Sequence, residues 1–119
     1  MILTLLPETF AIVRMAPDAE WSGDYFSITR TSDATSIVCP ESGVRAGMHA
    51  DRGWQCLKVE GPLPLTMVGV MADVATLLAR AGVSIFPIAT YDTDYIFVKG
   101  DQVAAAADAL KIGGHVVRG

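Results

Sequence analysis

The sequence is poor in charge, in aromatic residues and in cysteine, and each shortage excludes a class of protein. Only 18% of its 119 residues are charged and 8% are aromatic, while about half are apolar, which is not the composition of a disordered protein. Its two cysteines, Cys39 and Cys56, are too few for a disulfide framework. We therefore expect one compact domain, or two small domains sharing a core, in a reducing cytoplasm.

Basic surface and long apolar runs are also missing. The formal net charge is −4 and the lysines and arginines are scattered, which argues against a nucleic-acid partner. No apolar run approaches the roughly 18 residues of a membrane span. The opening segment 1–6 is apolar, but no basic residue precedes it and Pro7 follows at once, so it predicts a strand or a terminal packing segment rather than a signal peptide.

The residue patterns of catalysis and metal binding are absent as well. His49 and His115 lie far apart in the sequence, with no cysteine or carboxylate at metal-ligand spacing. No serine has the context of a nucleophile elbow, and there is no glycine-rich phosphate loop. The arginines also lack the glycine-rich setting that an acylphosphatase requires. We expect no metal, no cofactor and no catalytic residue.

The second half of the chain has the clearest pattern. Residues 54–60 alternate apolar and polar side chains and stop at Gly61-Pro62, which predicts a strand. Residues 66–81 have helical spacing, with Thr66 as the predicted N-cap and Gly82 just past the end. The remaining predicted elements are a strand at 83–91, a turn at Asp92-Thr93, a strand at 94–99, a helix at 101–110 and a short strand at 115–117.

This order of elements, βαββαβ, is the ferredoxin-like arrangement of the α+β class. In the usual spatial order of that arrangement, the second strand lies at an edge of the sheet. Pro87 falls in the second strand, and proline is tolerated at an edge because it cannot donate to a central ladder.

The first half resembles a shortened copy of the second. Strands are predicted at 10–15, 25–31 and 36–39, with only residues 17–24 between the first two. A shift of 60 aligns Phe26, Ile28 and Val38 with Phe86, Ile88 and Val98, whereas the first strand aligns at a shift of about 44. The difference is about one helix. We predict two related modules, 1–52 and 53–119, the first with a shortened helix, packed as one unit because each is marginal alone.

Two stretches of the second half resemble a known family. Residues 57–63 (LKVEGPL) and 81–96 (AGVSIFPIATYDTDYI) are similar to the ACT-domain family that includes the CASTOR-type arginine sensors, and small bacterial tandem-ACT proteins resemble this chain over nearly its whole length. The resemblance implies a tandem ACT fold that binds an amino acid or an analogue without catalysing a reaction. It does not imply that the ligand is arginine.

A ligand pocket is predicted between the helix entrance at 65–69 and the strand end at 90–94. The first turn of a helix offers unpaired N–H groups to a carboxylate. Gly69 weakens the helix there, and either close approach of a ligand or tight helix–strand packing would explain it. The arginine sensors carry a matching threonine-aspartate pair, which implies Thr93 and Asp94 as ligand contacts. The predicted ligand-binding residues are Met67, Val68, Gly69, Thr90, Tyr91, Thr93 and Asp94.

Simpler explanations of these residues stay open. Asp92 and Asp94 are also typical turn residues, and Met67 fits the apolar stripe of the helix. Met67 and Val68 stand where the arginine sensors have an acidic and a small residue, which favours a smaller or more apolar amino acid. The predicted function is a regulatory module that binds an amino acid; the alternative is an assembly module with an unused pocket. Edge strands need cover, so we also expect a homodimer.

Overall fold

The computed structural model describes residues 1–61 and 69–119, which form two compact units. The N-terminal unit is Glu8–Trp54, and the C-terminal unit combines Met1–Pro7 with Gln55–Gly119. The predicted module boundary, 52/53, lies two residues before the division at 54/55. The first seven residues, assigned from the sequence to the first module, belong to the C-terminal unit because their strand pairs there.

Eight strands and two α-helices make up the described chain. The strands are β1 (Ile2–Leu5), β2 (Phe10–Met15), β3 (Ser27–Arg30), β4 (Thr35–Pro40), β5 (His49–Val59), β6 (Ile85–Ala89), β7 (Asp94–Lys99) and β8 (Val116–Arg118). The helices are α1 (Val70–Arg80) and α2 (Val103–Ile112). Neither helix is long and apolar enough to span a membrane.

The C-terminal unit has the predicted ferredoxin-like arrangement, with one addition. Along the chain, β5, α1, β6, β7, α2 and β8 give the order βαββαβ, which confirms the predicted fold. β5 pairs with β7, and β7 with β6. The addition is β1, which lies between β5 and β8, antiparallel to the former and parallel to the latter. The strand order of this unit is therefore β6-β7-β5-β1-β8.

The edge position predicted for Pro87 is confirmed. Pro87 lies in β6 opposite Ile96 of β7, and β7 is the one strand with which β6 pairs in the described chain. A proline at this position removes no hydrogen bond from the interior of the sheet.

Both helices pack on one face of the C-terminal sheet. Their buried residues Val74, Leu78, Ala106 and Leu110 form a core with sheet residues Leu3, Leu57, Val59, Ile96 and Val98. Because strand side chains alternate between faces, Lys58 and Tyr95 lie on the face opposite the helices. Asp94 lies two residues before Ile96 in β7, so its side chain is on the same face of the sheet as that of Ile96, which is the helix face.

Helix α1 ends in a Schellman motif, as its sequence predicts. Gly82 has a φ of +73°, in the left-handed region that favours glycine. The Gly82 N–H donates to the Ala79 carbonyl and the Val83 N–H to the Leu78 carbonyl, both at 3.0 Å. These two bonds satisfy carbonyls that the end of the helix leaves without intrahelical partners.

The N-terminal unit repeats the first half of this arrangement. β3 pairs with β4, β4 with β2, and β2 with the beginning of β5, each antiparallel. Residues 16–26 contain no helix, whereas a shortened helix was predicted for this unit. Instead, irregular segments supply the side chains that cover the core. Val13, Ile37 and Cys39 form that core, and Trp21, Val44 and Met48 pack against it.

The predicted shift of 60 between the two hairpins is wrong by one residue. The β3–β4 turn is closed by the Thr31 N–H donating to the Ala34 carbonyl, and the β6–β7 turn by the Thr90 N–H donating to the Thr93 carbonyl. These turns superpose at a shift of 59. A one-residue slip exchanges the two faces of a strand, and only the shift of 59 aligns buried Ile37 with buried Ile96.

Candidate functional site

A cleft opens where β5 ends beside the β6–β7 turn. It has a volume of about 380 Å³, and its described lining is Lys58, Gly61, Asp92, Thr93 and Tyr95. This volume lies near the lower end of the range for small-molecule sites, roughly 300–1,000 Å³, and so suits a ligand of amino-acid size.

The cleft carries charges of both signs. Lys58 supplies an ammonium group whose Nζ lies 4.0 Å from Glu60 Oε2. With about a third of each of these two side chains accessible to water, this ion pair is weak and can give way to a ligand. Asp92 supplies an exposed carboxylate in the turn, and Tyr95 supplies an aromatic ring from β7. The lining can therefore pair with an anion and a cation of the same small molecule.

Thr93 fixes the turn to the end of β5. Its side chain is buried, and Oγ1 donates to the carbonyl oxygen of Val59 at 2.5 Å. The proton of this hydroxyl is therefore committed to the protein. Thr93, a predicted ligand contact, lines the cleft, but towards a ligand its hydroxyl can act only as an acceptor.

Thr90 closes the same turn from its other end. Its Oγ1 donates to the Thr93 carbonyl at 2.7 Å and accepts from the Thr93 N–H at 3.3 Å. This is the side-chain turn chemistry of threonine. Thr90 therefore shapes the cleft through Thr93.

Asp94 and Tyr91 are not among the described lining residues of the cleft. Asp94 begins β7 opposite Ala89, on the helix face of the sheet, whereas Tyr95 faces the cleft. Tyr91 is 82% exposed. The structure thus brings Asp92 and Thr93 together at the cleft and separates Asp94 from them by the alternation of the strand.

Gly69 is the N-cap of α1, one residue before the helix begins. Its φ is +91°, and a Cβ built on it would meet no described atom within 4 Å. Among the described residues, none packs closely enough to require a missing side chain here, and the left-handed backbone conformation favours glycine. Asp73, in the first turn, accepts a hydrogen bond of 2.8 Å from His115 Nε2. This carboxylate already complements the positive end of the helix dipole.

Three residues of the predicted helix entrance lie outside the described residues. They are the predicted N-cap Thr66 and the predicted ligand contacts Met67 and Val68.

Sequence reasoning missed Lys58, Gly61 and Tyr95 as cleft residues. Lys58 stands between two buried apolar residues, Leu57 and Val59, and this alternation placed it on the opposite face. The signal available in the sequence was the charged residue Lys58, close to the point where the strand ends at Gly61. In the described ranges, no group of three or more histidine, cysteine, aspartate or glutamate residues could hold a metal ion.

The βαββαβ unit with a cleft at the end of its first strand has the ferredoxin-like arrangement. The model of the ACT domain matches residues 49–111, which include β5, α1, all but the last residue of α2, and the described lining of the cleft. The chain belongs to the ACT domain family.

Solved structures support the same fold over the whole chain. A protein of Agrobacterium tumefaciens is 30% identical, with a TM-score of 0.89 over 98% of this chain and 90% of its own. The regulatory subunit of aspartate kinase from Thermus flavus has a TM-score of 0.68 at 11% identity, covering 94% of this chain and 96% of its own. Aspartate kinase from Clostridium acetobutylicum has a TM-score of 0.71 at 9% identity, covering 89% and 33%. No curated protein sequence matches the chain.

Proposed function

We propose that this protein is a non-catalytic regulatory module that binds an amino acid or a close analogue in the cleft of its C-terminal unit. Membership of the ACT domain family supports a regulatory role, and the cleft supports the class of ligand. A free amino acid carries one carboxylate and one ammonium group a few ångströms apart. Lys58 and Asp92 are the groups of opposite charge that the cleft offers to them.

In the proposed complex, the Lys58 ammonium exchanges its weak pairing with Glu60 for the ligand carboxylate. The Asp92 carboxylate accepts from the ligand ammonium, and the Tyr95 ring contacts the ligand side chain. Thr93 accepts one further hydrogen bond through a lone pair of Oγ1, since its proton is held by Val59. Gly69, Thr90, Tyr91 and Asp94, together with Met67 and Val68, remain the proposed contacts of an alternative site at the predicted helix entrance, which the variants below distinguish from the cleft.

A screen of thermal stability against the individual amino acids tests whether any ligand binds. A ligand at 100 times its dissociation constant stabilises the folded state by about 2.7 kcal/mol, which such a melt detects. If no amino acid shifts the melting temperature, the binding proposal fails and the assembly function with an unused pocket replaces it.

Three variants then locate the ligand by calorimetry. We expect Lys58→Met and Asp92→Asn each to weaken binding about tenfold, because each removes one charge-assisted bond. Asp94→Asn tests the predicted helix-face pocket, since Asp94 lies on the other side of the sheet. The matched controls are Lys111→Met and Asp108→Asn, which remove the same charges from exposed positions of α2. A tenfold loss in Asp94→Asn alone would move the site to the helix entrance.

We further propose a homodimer in the cytoplasm. Strands β3, β6 and β8 each pair on one side within the described chain, and exposed strand edges favour association. Cys39 and Cys56 are buried and are not joined in a disulfide, which suits a reducing compartment. Sedimentation at micromolar concentration tests the dimer, because a species of 12.6 kDa alone would contradict it.

A further inference from the structure

A row of three polar side chains crosses the C-terminal sheet beside the cleft. Lys58 of β5 pairs with Thr4 of β1, and Thr4 pairs in turn with Arg118 of β8. Paired residues of neighbouring strands share a face of the sheet, so the two cations stand on either side of the Thr4 hydroxyl. Since neighbouring strands are about 5 Å apart, the Cα atoms of Lys58 and Arg118 are separated by roughly 10 Å.

The row lies on the face of the sheet opposite the helices. Thr4 and Lys58 are half-buried and Arg118 is exposed, so a small molecule can reach all three side chains. Lys58 also lines the cleft, and the row therefore continues the cleft towards β8. The residues that alternate with the row along the three strands belong to the core under the helices: Leu3, Val59 and Val117.

The charges of this row are unbalanced. The protein has 13 aspartates and glutamates against nine lysines and arginines, yet the row contains two cations and no carboxylate. The Lys58 ammonium has a partner in Glu60, with Nζ 4.0 Å from Oε2. In the described part of the chain, the Arg118 guanidinium has no ion-pair partner. A planar guanidinium beside a hydroxyl group fits the oxygens of a carboxylate or a phosphate.

We propose that the cleft binds an amino acid whose side chain ends in a second anionic group, a carboxylate or a phosphate, and that Arg118 and Thr4 bind that group. This inference rests on the proposed function and narrows its ligand. Asp92 and Lys58 hold the ammonium and carboxylate groups that all amino acids share, and the second anion lies over Thr4. An amino acid with a neutral side chain leaves Arg118 unused.

Calorimetry with matched pairs of ligands tests the class of ligand. Aspartate or glutamate should bind at least tenfold tighter than asparagine or glutamine, or phosphoserine at least tenfold tighter than serine, because only the charged member offers Arg118 an anion. The pair with the largest ratio identifies the group as a carboxylate or a phosphate. If a neutral amino acid binds as tightly as every anionic one, this inference fails while the proposed function stands.

The variant Arg118→Met assigns the selectivity to the row. It should weaken binding of the preferred anionic ligand about tenfold and leave binding of the neutral counterpart unchanged. Thr4→Val should lose less, because it removes one neutral hydroxyl. Arg80→Met, which removes an exposed arginine from the end of α1, is the control and should leave both affinities unchanged. No loss in Arg118→Met, or an equal loss for both members of a pair, would overturn the role of Arg118.

Glutarate separates the row from the proposed function, because it carries two carboxylates and no ammonium group. If no amino acid binds the unmodified protein, the proposed function fails, and titration with glutarate decides whether the row binds anions. The backbone amide signals of Thr4, Lys58 and Arg118 should then shift in NMR spectra with a saturating dose dependence, and Arg118→Met should abolish the shifts. Unchanged signals at tens of millimolar glutarate would rule out the row as an anion site.

Discussion

Thr93 Oγ1 donates a 2.5 Å hydrogen bond to the carbonyl oxygen of Val59 and so joins the β6–β7 turn to the end of β5. Thr93 is only 5% exposed, so the bond is shielded from water. We expect Thr93→Val to lower the free energy of unfolding by about 1–3 kcal/mol, because it leaves a buried carbonyl without this donor. Thr93→Ser keeps the hydroxyl and should lose less. Urea denaturation measures both, and equal losses would show that the methyl group matters as much as the hydroxyl.

The left-handed Gly82 at the end of α1 gives a second prediction. Gly82→Ala should cost about 1–2 kcal/mol, because an L-residue is strained at a φ of +73°. Gly82→Asn should cost less, since asparagine tolerates this region better. Thermal melts of the two variants measure the difference. An alanine variant as stable as the original protein would contradict the Schellman ending of the helix.

The buried Cys39 thiol gives a prediction about pH. Burial raises the pKa of Cys39 above its ordinary value of 9.0, an effect that the nearby Arg45 charge partly offsets. Because burial disfavours the charged thiolate, Cys39 ionises more readily in the unfolded chain than in the folded one. Its contribution to the stability of the folded state is therefore complete at pH values below 9.0 and is lost as the pH rises above that value. We therefore expect stability to fall above about pH 9, and less steeply in Cys39→Ala.

The same burial predicts slow chemical modification. Cys39 and Cys56 are each fully buried, so neither should react with a thiol reagent at neutral pH until the protein is unfolded. Peptide mapping after alkylation in the absence and presence of urea assigns the reaction to each cysteine. Rapid labelling of Cys39 in the folded protein would contradict its buried position.

Pro87 gives a prediction about association. Pro87→Val adds an N–H donor and a β-branched side chain to the edge strand β6, and should therefore increase self-association in sedimentation experiments. Ala89→Val in the same strand adds the side chain without adding a donor. An equal increase in both variants would attribute the effect to apolar surface rather than to strand pairing.

Local patterns predicted the elements well, because each depends on neighbouring residues. The alternating and turn-flanked segments gave β2 and β7 with the bounds that the structure has, and Gly82 marked the end of α1. The position of β1 could not be predicted in the same way. Its partners lie more than 50 residues away, in β5 and β8, and no local pattern encodes a pairing over that distance.

The candidate site was predicted only in part for a related reason. The turn containing Asp92 and Thr93 was visible in the sequence, but which side chains share a face depends on register. Asp94 and Tyr95 are neighbours in the sequence, yet Asp94 lies on the helix face of the sheet and Tyr95 lines the cleft. The predicted shift of 60 between the two hairpins likewise differs by one residue from the shift of 59 in the structure. Matching similar residues between the two hairpins cannot determine their alignment to within one residue, whereas the backbone hydrogen bonds that close the two turns do.

The place of β1 in the C-terminal sheet has a consequence for the order of events during synthesis. The N-terminal unit is one continuous segment, Glu8–Trp54, so all of its residues are made before most of the C-terminal unit. β1 can pair with β5 at an intermediate stage of synthesis, but β8, its parallel partner, follows more than 100 residues after β1. The C-terminal sheet is therefore completed only after translation has passed β8. Until then, the edge of β1 that pairs with β8 stays open to strands of other chains.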